Sequence, residues 1–292
     1  MSEMMPSDEE ILALLDAGQP HFSLWKDLVS QLGAKDWQRA QDVLADTWPE
    51  VGDQRLAMIQ RLKPSQRLAS LFLLLPQAAE RYKSQGLPLG ILQASLDDLY
   101  LRERLYYEAH GTLGLTADDG QWLLRIFDLK IFKLGTLQFE RTHWMNAPDY
   151  YHLPEEDLAF WPEGTPLLAV HIMEGSELSL ANCQASFDQA EAFFSQHFPG
   201  EAYQAFSCFS WLLYPGLWQV LGEGSRIRQF ASFFHLLAST DWPDMARARI
   251  LDQAPTVYQG SRLQGLARSG ADILGAGLAY RPMIKEERNG KY

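Results

Sequence analysis

The stretch that decides the fold runs LLAVHIM (167–173), EGSELS (174–179), LANCQASFDQAEAFFSQHF (180–198) and, after a short connection, AFSCFSWLL (205–213). LLAVHIM is a short, nearly continuous apolar run, the pattern of a strand covered on both faces. Residues 180–198 keep a helical period, with Leu180, Cys183, Phe187, Ala190, Phe194 and Phe198 on one stripe. AFSCFSWLL is strand-like again and stops at Tyr214-Pro215, where proline suits the first turn of a short helix. The intervening loop can aim backbone N–H groups and a helix N-terminus at an anion, so a pyrophosphate could sit there without a cation. Gly175 would permit close approach, and Ser179 is placed to cap the helix. The same pattern also describes a plain strand-to-helix turn, and the spacing alone does not separate the two.

Outward from this unit, 131–142 (IFKLGTLQFERT) is apolar and aromatic with a mid-run glycine, and reads as one strand. Downstream, 226–237 is strand-like, 261–274 helical, and 277–281 a short strand. Strands alternating with helices predict a mixed, partly parallel sheet. Upstream, the chain to about residue 125 reads as helix after helix. Ser7 before Asp8, Glu9 and Glu10 is a helix start, and Ile11, Leu14 and Leu15 follow at helical spacing. Similar patterns occupy 36–48, 52–62, 64–84 (opened by Pro64) and 89–109, where Asp98 and Arg102 are in i,i+4 contact. The fold class expected is therefore α+β/α/β with two domains: an all-helical domain over 1–125 and an α/β domain over 126–292.

With 292 residues, 47% apolar and 21% charged, the chain has the composition of an ordinary globular protein. Its net charge of −12 gives no basic footprint for nucleic acid and repels anionic lipid, so neither DNA nor a membrane is the expected partner. Two cysteines, Cys183 and Cys208, make no disulfide framework, and the first ten residues are acidic without an apolar segment. A cytoplasmic setting is expected. The charge is unevenly spread: 142–225 holds eleven Asp and Glu but no Lys or Arg, whereas 226–292 holds ten Lys and Arg against six acids. Cations for any phosphate in this region must come from Lys130, Lys133, Arg141, Arg226 or Arg228.

FKLGTLQFE (132–140), VHIMEGSEL (170–178), the helix with Cys183, Ser186, Ala190, Phe193 and Phe194, and SWLL (210–213) occur in an order and spacing that resemble a family of bacterial acyltransferases. Leu87-Pro88, Asp97-Asp98 and the Gly114…Trp122-Leu123 segment resemble the helical partner domain of that family. The resemblance covers roughly 85–280. It implies a helical N-acyltransferase N-terminal domain joined to a GNAT-like acyl-CoA N-acyltransferase fold, a mixed sheet with flanking helices. In such a fold two central strands splay, and acyl-CoA or acetyl-CoA lies in the gap. The resemblance places pantetheine along Val170, His171, Ile172 and Met173, and pyrophosphate at Gly175, Ser176, Leu178 and Ser179, with Trp211 beside the cofactor. No metal is implied. The acceptor would be an amine on a small molecule or peptide, attacked into the thioester with a general base to remove its proton.

This chain departs from the family pattern in four places. Ser176 and Glu177 stand where glycine and proline are expected, Phe209 where a histidine precedes Ser-Trp-Leu-Leu, and Tyr214 where aspartate follows it. Two functions stay open: the acyltransferase, and a non-catalytic acyl-CoA-sensing or protein-interaction module. Glu140 is the candidate base, or else an edge carboxylate paired with Arg141 or Lys133. Tyr214 is the candidate donor to the leaving thiolate, or a helix-capping aromatic. Ser210 either bonds substrate or packs in its strand, and His171 is a satisfied core histidine or a catalytic one. A cysteine nucleophile with His171 or His197 competes with a buried thiol on an apolar stripe. A metal site from His143, Asp149 and His152 lacks regular spacing. Trp144, Tyr150, Tyr151, Phe160 and Trp161 line a pocket or cover the sheet.

Overall fold

A computed structural model provides the coordinates and describes residues 8–15, 19–47, 57, 59–146, 153, 160–253, 259–270 and 273–283. The chain divides into two compact units, Met1–Lys133 and Leu134–Tyr292. Position 125 lies inside a helix, Ala117–Phe127, so the division follows that helix.

The first unit is helical: α1 (Asp8–Leu14), α2 (Pro20–Gln31), α3 (Ala34–Thr47), α4 (Pro64–Leu73), α5 (Leu75–Ser84), α6 (Leu89–His110) and α7 (Ala117–Phe127). The expected helix over 64–84 is two helices, because Pro76 sits in the first turn of α5 and cannot continue the ladder of α4. Helix α2 has no counterpart in the sequence reading. Ser7, most of the 52–62 helix and Trp48 lie outside the described residues. Trp25 of α2 packs against Trp37 and Phe72, joining α2, α3 and α4 through one aromatic centre. The expected Asp98–Arg102 contact is present, with Nε 2.9 Å from Oδ1. Asp98 is fully buried and also accepts from Trp122 Nε1 at 2.7 Å, which ties α7 to α6. A buried carboxylate is tolerable only with such donors around it.

The helices are followed by a six-stranded sheet in the order β1-β2-β3-β4-β6-β5, with β2 to β6 in the second unit. Its strands are β1 (Ile131–Leu134), β2 (Leu137–His143), β3 (Pro166–His171), β4 (Ala205–Ser210), β5 (His235–Thr240) and β6 (Ala276–Pro282). β3 and β4 are parallel, while β2/β3, β4/β6 and β5/β6 are antiparallel. The crossover between the parallel pair is α8 (Leu180–His197), whose N-cap Ser179 accepts from Asn182 N–H. Its stripe of Cys183, Phe187, Ala190 and Phe194 is buried. Phe187 meets Phe139 of β2 and Phe206 of β4 edge-on, so odd-numbered β2 residues face α8. The opposite face is covered by Trp144, Leu153 and the partly buried Trp161, Phe209 and Tyr280 over Leu167, Ala205, Ala238 and Leu278. Trp144, Phe160 and Trp161 thus cover the sheet; Tyr150 and Tyr151 lie outside the described residues.

Three expectations are corrected here. The single strand over 131–142 turns back at Gly135, whose φ is +68°. Strand β4 ends at Ser210, and residues Trp211–Leu213 form a 3-10 turn. The strand expected over 226–237 is a helix, α9 (Arg226–Ala231), with β5 beginning only at His235. A short helix, α10 (Pro243–Arg247), a π-helical turn (Ala248–Gln253) and α11 (Arg262–Ser269) complete the unit.

Candidate functional site

Between β3 and β4 the register holds only two pairs, Leu168 with Phe206 and Ala169 with Ser207. Past that point each strand keeps its outer partner. β3 stays with β2 as far as His171 opposite Gln138, and β4 stays with β6 as far as Ser210 opposite Gly277. The inner edges of Val170-His171 and Cys208–Ser210 therefore part, and the sheet opens at the carboxyl ends of its parallel strands. Ligands of α/β sheets occupy such crevices.

The chain leaves β3 through a tight turn. Ser176 N–H donates to Met173 C=O at 3.1 Å, and Gly175 takes the third position with φ +82°. That conformation selects glycine, and a Cβ placed there would meet open space. Gly175 is exposed, Ser176 and Ser179 half-buried, and Leu178 buried. Val170 and Trp211 are buried as well, whereas His171, Ile172 and Met173 are half-buried.

Glu140 and His171 are brought together. The register sets Glu140 opposite Ala169, diagonal to His171, and the small Ala169 leaves the diagonal open. Glu140 Oε2 lies 2.8 Å from His171 Nε2. By strand alternation the pair sits on the face away from α8, the same face as Ser207 and Phe209. Both side chains are partly accessible, at 15% and 30% of full exposure. The alternative partners expected for Glu140 are engaged elsewhere: Lys133 with Asp97, and Arg141 with Glu201 and Tyr203. The carboxylate of Glu201 is held below its ordinary range by Arg141 and Tyr203, against the upward push of burial.

At the end of β4, Ser210 Oγ accepts from Leu212 N–H at 3.2 Å, capping the 3-10 turn. Tyr214 donates its hydroxyl to Asp241. Its ring is gripped by Gly216 and Gly275, where an added Cβ would lie 2.6 and 2.5 Å from ring carbons. Phe209 stacks on Trp242, their centroids 6.2 Å apart. Glu174 and Glu177 meet Arg249 and Arg226. Arg249 was missed in the sequence, because only the packing of the π-helical turn brings it back to the loop.

Both cysteines are buried, and burial pushes the Cys183 thiol up to about 11 and the Cys208 thiol higher still. Neither provides a thiolate near neutral pH, which sets the cysteine nucleophile aside. Among the described residues no group of three or more His, Cys, Asp and Glu is placed to hold a metal, and Asp149 and His152 fall outside them. No helix among the described residues is long and apolar enough to cross a membrane.

The model of one protein family, GNAT-like C-terminal domain, matches residues 131–282, more than half of the chain. The chain belongs to the GNAT-like C-terminal domain family. The opened β3/β4 pair is thus the centre of a GNAT-like domain. Among solved structures the chain is similar to an acyltransferase in complex with decanoyl-CoA, at 19% identity and a TM-score of 0.66, over 96% of this chain and 90% of that one. It is also similar to an acyltransferase in complex with decanoyl-CoA and teicoplanin, at 19% identity and a TM-score of 0.61, over 94% of each chain. At this identity the likeness establishes the fold, and it extends through the helical unit as well as the GNAT-like one. No curated protein matches.

Proposed function

We propose that this GNAT-like protein is an acyl-CoA-dependent N-acyltransferase that moves an acyl group from CoA to an amine on a small molecule or peptide. The observation that carries the reading is the parting of β3 from β4 after Ala169 and Ser207, directly before a glycine turn and a Ser179-capped helix. The fold-level neighbours in complex with decanoyl-CoA support a medium-chain donor, and the teicoplanin complex supports a glycopeptide-like amine. The helical half takes the part of the N-acyltransferase N-terminal domain. Two free, buried cysteines support a reducing, cytoplasmic setting, and the family resemblance supports a bacterial one.

In this reading pantetheine lies along Val170, His171, Ile172 and Met173, with main-chain contacts where side chains are buried. Pyrophosphate lies at Gly175, Ser176, Leu178 and Ser179, and Trp211 closes the cofactor side. The neutral amine attacks the thioester carbon, the C–S bond breaks, and the amine proton passes to the Glu140–His171 pair. Glu140 holds the imidazole through the 2.8 Å contact with Nε2, so the pair can take up the proton together. Ser210, whose oxygen accepts from Leu212, has a hydroxyl proton left to give to a substrate or cofactor oxygen. Tyr214 returns a proton to the leaving thiolate by turning its hydroxyl from Asp241.

The test is mass-spectrometric detection of N-acyl product from decanoyl-CoA and a panel of amino sugars and peptides. Glu140→Gln and His171→Asn are each expected to lower kcat by about 100-fold or more while leaving donor affinity within about twofold. Unchanged turnover in both variants would sink the pair as the base. Phe209, packed on Trp242 where the family resemblance expects a histidine, favours the second reading, a non-catalytic acyl-CoA-sensing module. That reading requires donor binding without product for any amine.

A further inference from the structure

The loop that leaves β3 is acidic, and no Lys or Arg occurs anywhere in 142–225. Folding nevertheless delivers two arginines to it. Arg249 Nη1 lies 3.2 Å from Glu174 Oε1, and Arg226 Nη1 pairs with Glu177 Oε1. Both come from elements that follow β4: Arg226 opens α9, and Arg249 belongs to the π-helical turn Ala248–Gln253. Helical turns of that kind are rare and recur at functional sites.

The exposure of both guanidiniums argues against a purely structural role. Arg226 and its partner Glu177 are 61% and 48% exposed, and Arg249 is 43% exposed although its partner Glu174 is only 12% exposed. An ion pair as open as Arg226–Glu177 contributes about 0–1 kcal/mol to stability. A guanidinium presents five N–H donors in a planar fork, and a contact with one carboxylate oxygen leaves part of that fork for another anion. The two glutamates flank Gly175, the exposed turn residue at the mouth of the opened sheet. Left uncompensated, their charge would repel a phosphate at short range.

We infer that Arg226 and Arg249 are the phosphate clamp of the donor site, each held at the loop by a glutamate until a CoA phosphate takes the free edge of its guanidinium. The clamp rests on the acyl-CoA reading and extends it by naming the two side chains that compensate the donor's negative charge. It also accounts for an acidic loop in a nucleotide-binding position: Glu174 and Glu177 aim the arginines. A phosphate ester bound to both forks makes charge-assisted, bidentate contacts.

The experiment is calorimetric titration of the full chain, Arg226→Gln, Arg249→Gln and the double variant with three donors: decanoyl-CoA, its 3′-dephospho form and decanoyl-pantetheine. Each single substitution is expected to weaken decanoyl-CoA binding by about tenfold or more, and the double by about 100-fold. Decanoyl-pantetheine, which has no phosphate, should bind all four proteins equally. If the dephospho donor shows the same loss, the clamp holds the pyrophosphate; if the loss disappears, it holds the 3′-phosphate. Wild-type affinity for decanoyl-CoA in the double variant would overturn the clamp. So would an equal loss for decanoyl-pantetheine, which would mark the arginines as structural. Failure of the unsubstituted chain to bind either CoA donor would instead contradict the acyl-CoA reading itself.

Discussion

Glu103 in α6 is buried, its Oε1 meets no hydrogen-bond donor among the described residues, and burial followed by the charge of Asp27 pushes its pKa up from 4.5 to about 7. A carboxyl whose pKa rises on folding favours the fold while protonated. Its contribution is complete below about pH 4.5 and is lost as pH rises through about 7. Thermal unfolding should therefore show more stability at pH 5 than at pH 8 from this group. Glu103→Gln, neutral throughout, should flatten that dependence and stabilise the protein at pH 8 by about 1–3 kcal/mol. An unchanged pH dependence in the variant would contradict the assignment. Cys183 belongs to the same scale: with its thiol pushed up to about 11, it should resist alkylation in the native protein at pH 7.5 and react after denaturation. The stripe that predicted its burial is a local signal and was legible. The Glu140–His171 contact was not, because it spans 31 residues of sequence and depends on the β2/β3 register.

Elements were legible wherever their cause is local. The apolar run of β3, the cap at Ser179 and the period of α8 are written in consecutive residues. The structure places the strand at Pro166–His171, so Ile172 and Met173 fall beyond it. It keeps the cap and buries the helical stripe from Cys183 to Phe194, with Leu180 exposed. Elements decided from a distance were not. Gly135 turns the β1/β2 hairpin because Ser186 packs against it, at 2.4 Å from where a Cβ would stand. Ser186 Oγ then accepts from Thr136 N–H at 2.8 Å. Nothing in the run IFKLGTLQFERT announces that partner 50 residues on. The run 226–237 reads as a strand in sequence, yet Phe233 and Phe234 follow a helix and pack on Phe187. Context overrode propensity there. Two glycines separate local from distant causes. Gly175→Ala meets open space and carries only the cost of a left-handed backbone, about 1–2 kcal/mol. Gly275→Ala would drive a methyl into Thr240 C=O at 2.5 Å and into the Tyr214 ring. It should cost more than the Gly175 variant, about 3 kcal/mol, and loosen the Tyr214–Asp241 contact. Urea midpoints that rank the two in the opposite order would contradict this packing.

Across the whole molecule, the division into a helical and an α/β half was legible as a change from helical period to strand-like runs. The exact boundary was not, since α7 runs to Phe127 before the sheet begins. The charge pattern was legible too, but its consequence needed the fold: 142–225 is purely acidic, and its cations return from the basic last segment as Arg226 and Arg249. The departures at Ser176, Glu177 and Phe209 thus sit in a domain whose strands still part where a GNAT-like sheet opens. The central claim is that this opening holds an acyl-CoA, and calorimetric titration of the purified chain with acetyl-CoA and decanoyl-CoA tests it most directly. One-site binding of decanoyl-CoA in the micromolar range, tighter than that of acetyl-CoA, is the expected result, whereas no heat of binding for either donor at near-millimolar concentration would contradict the account.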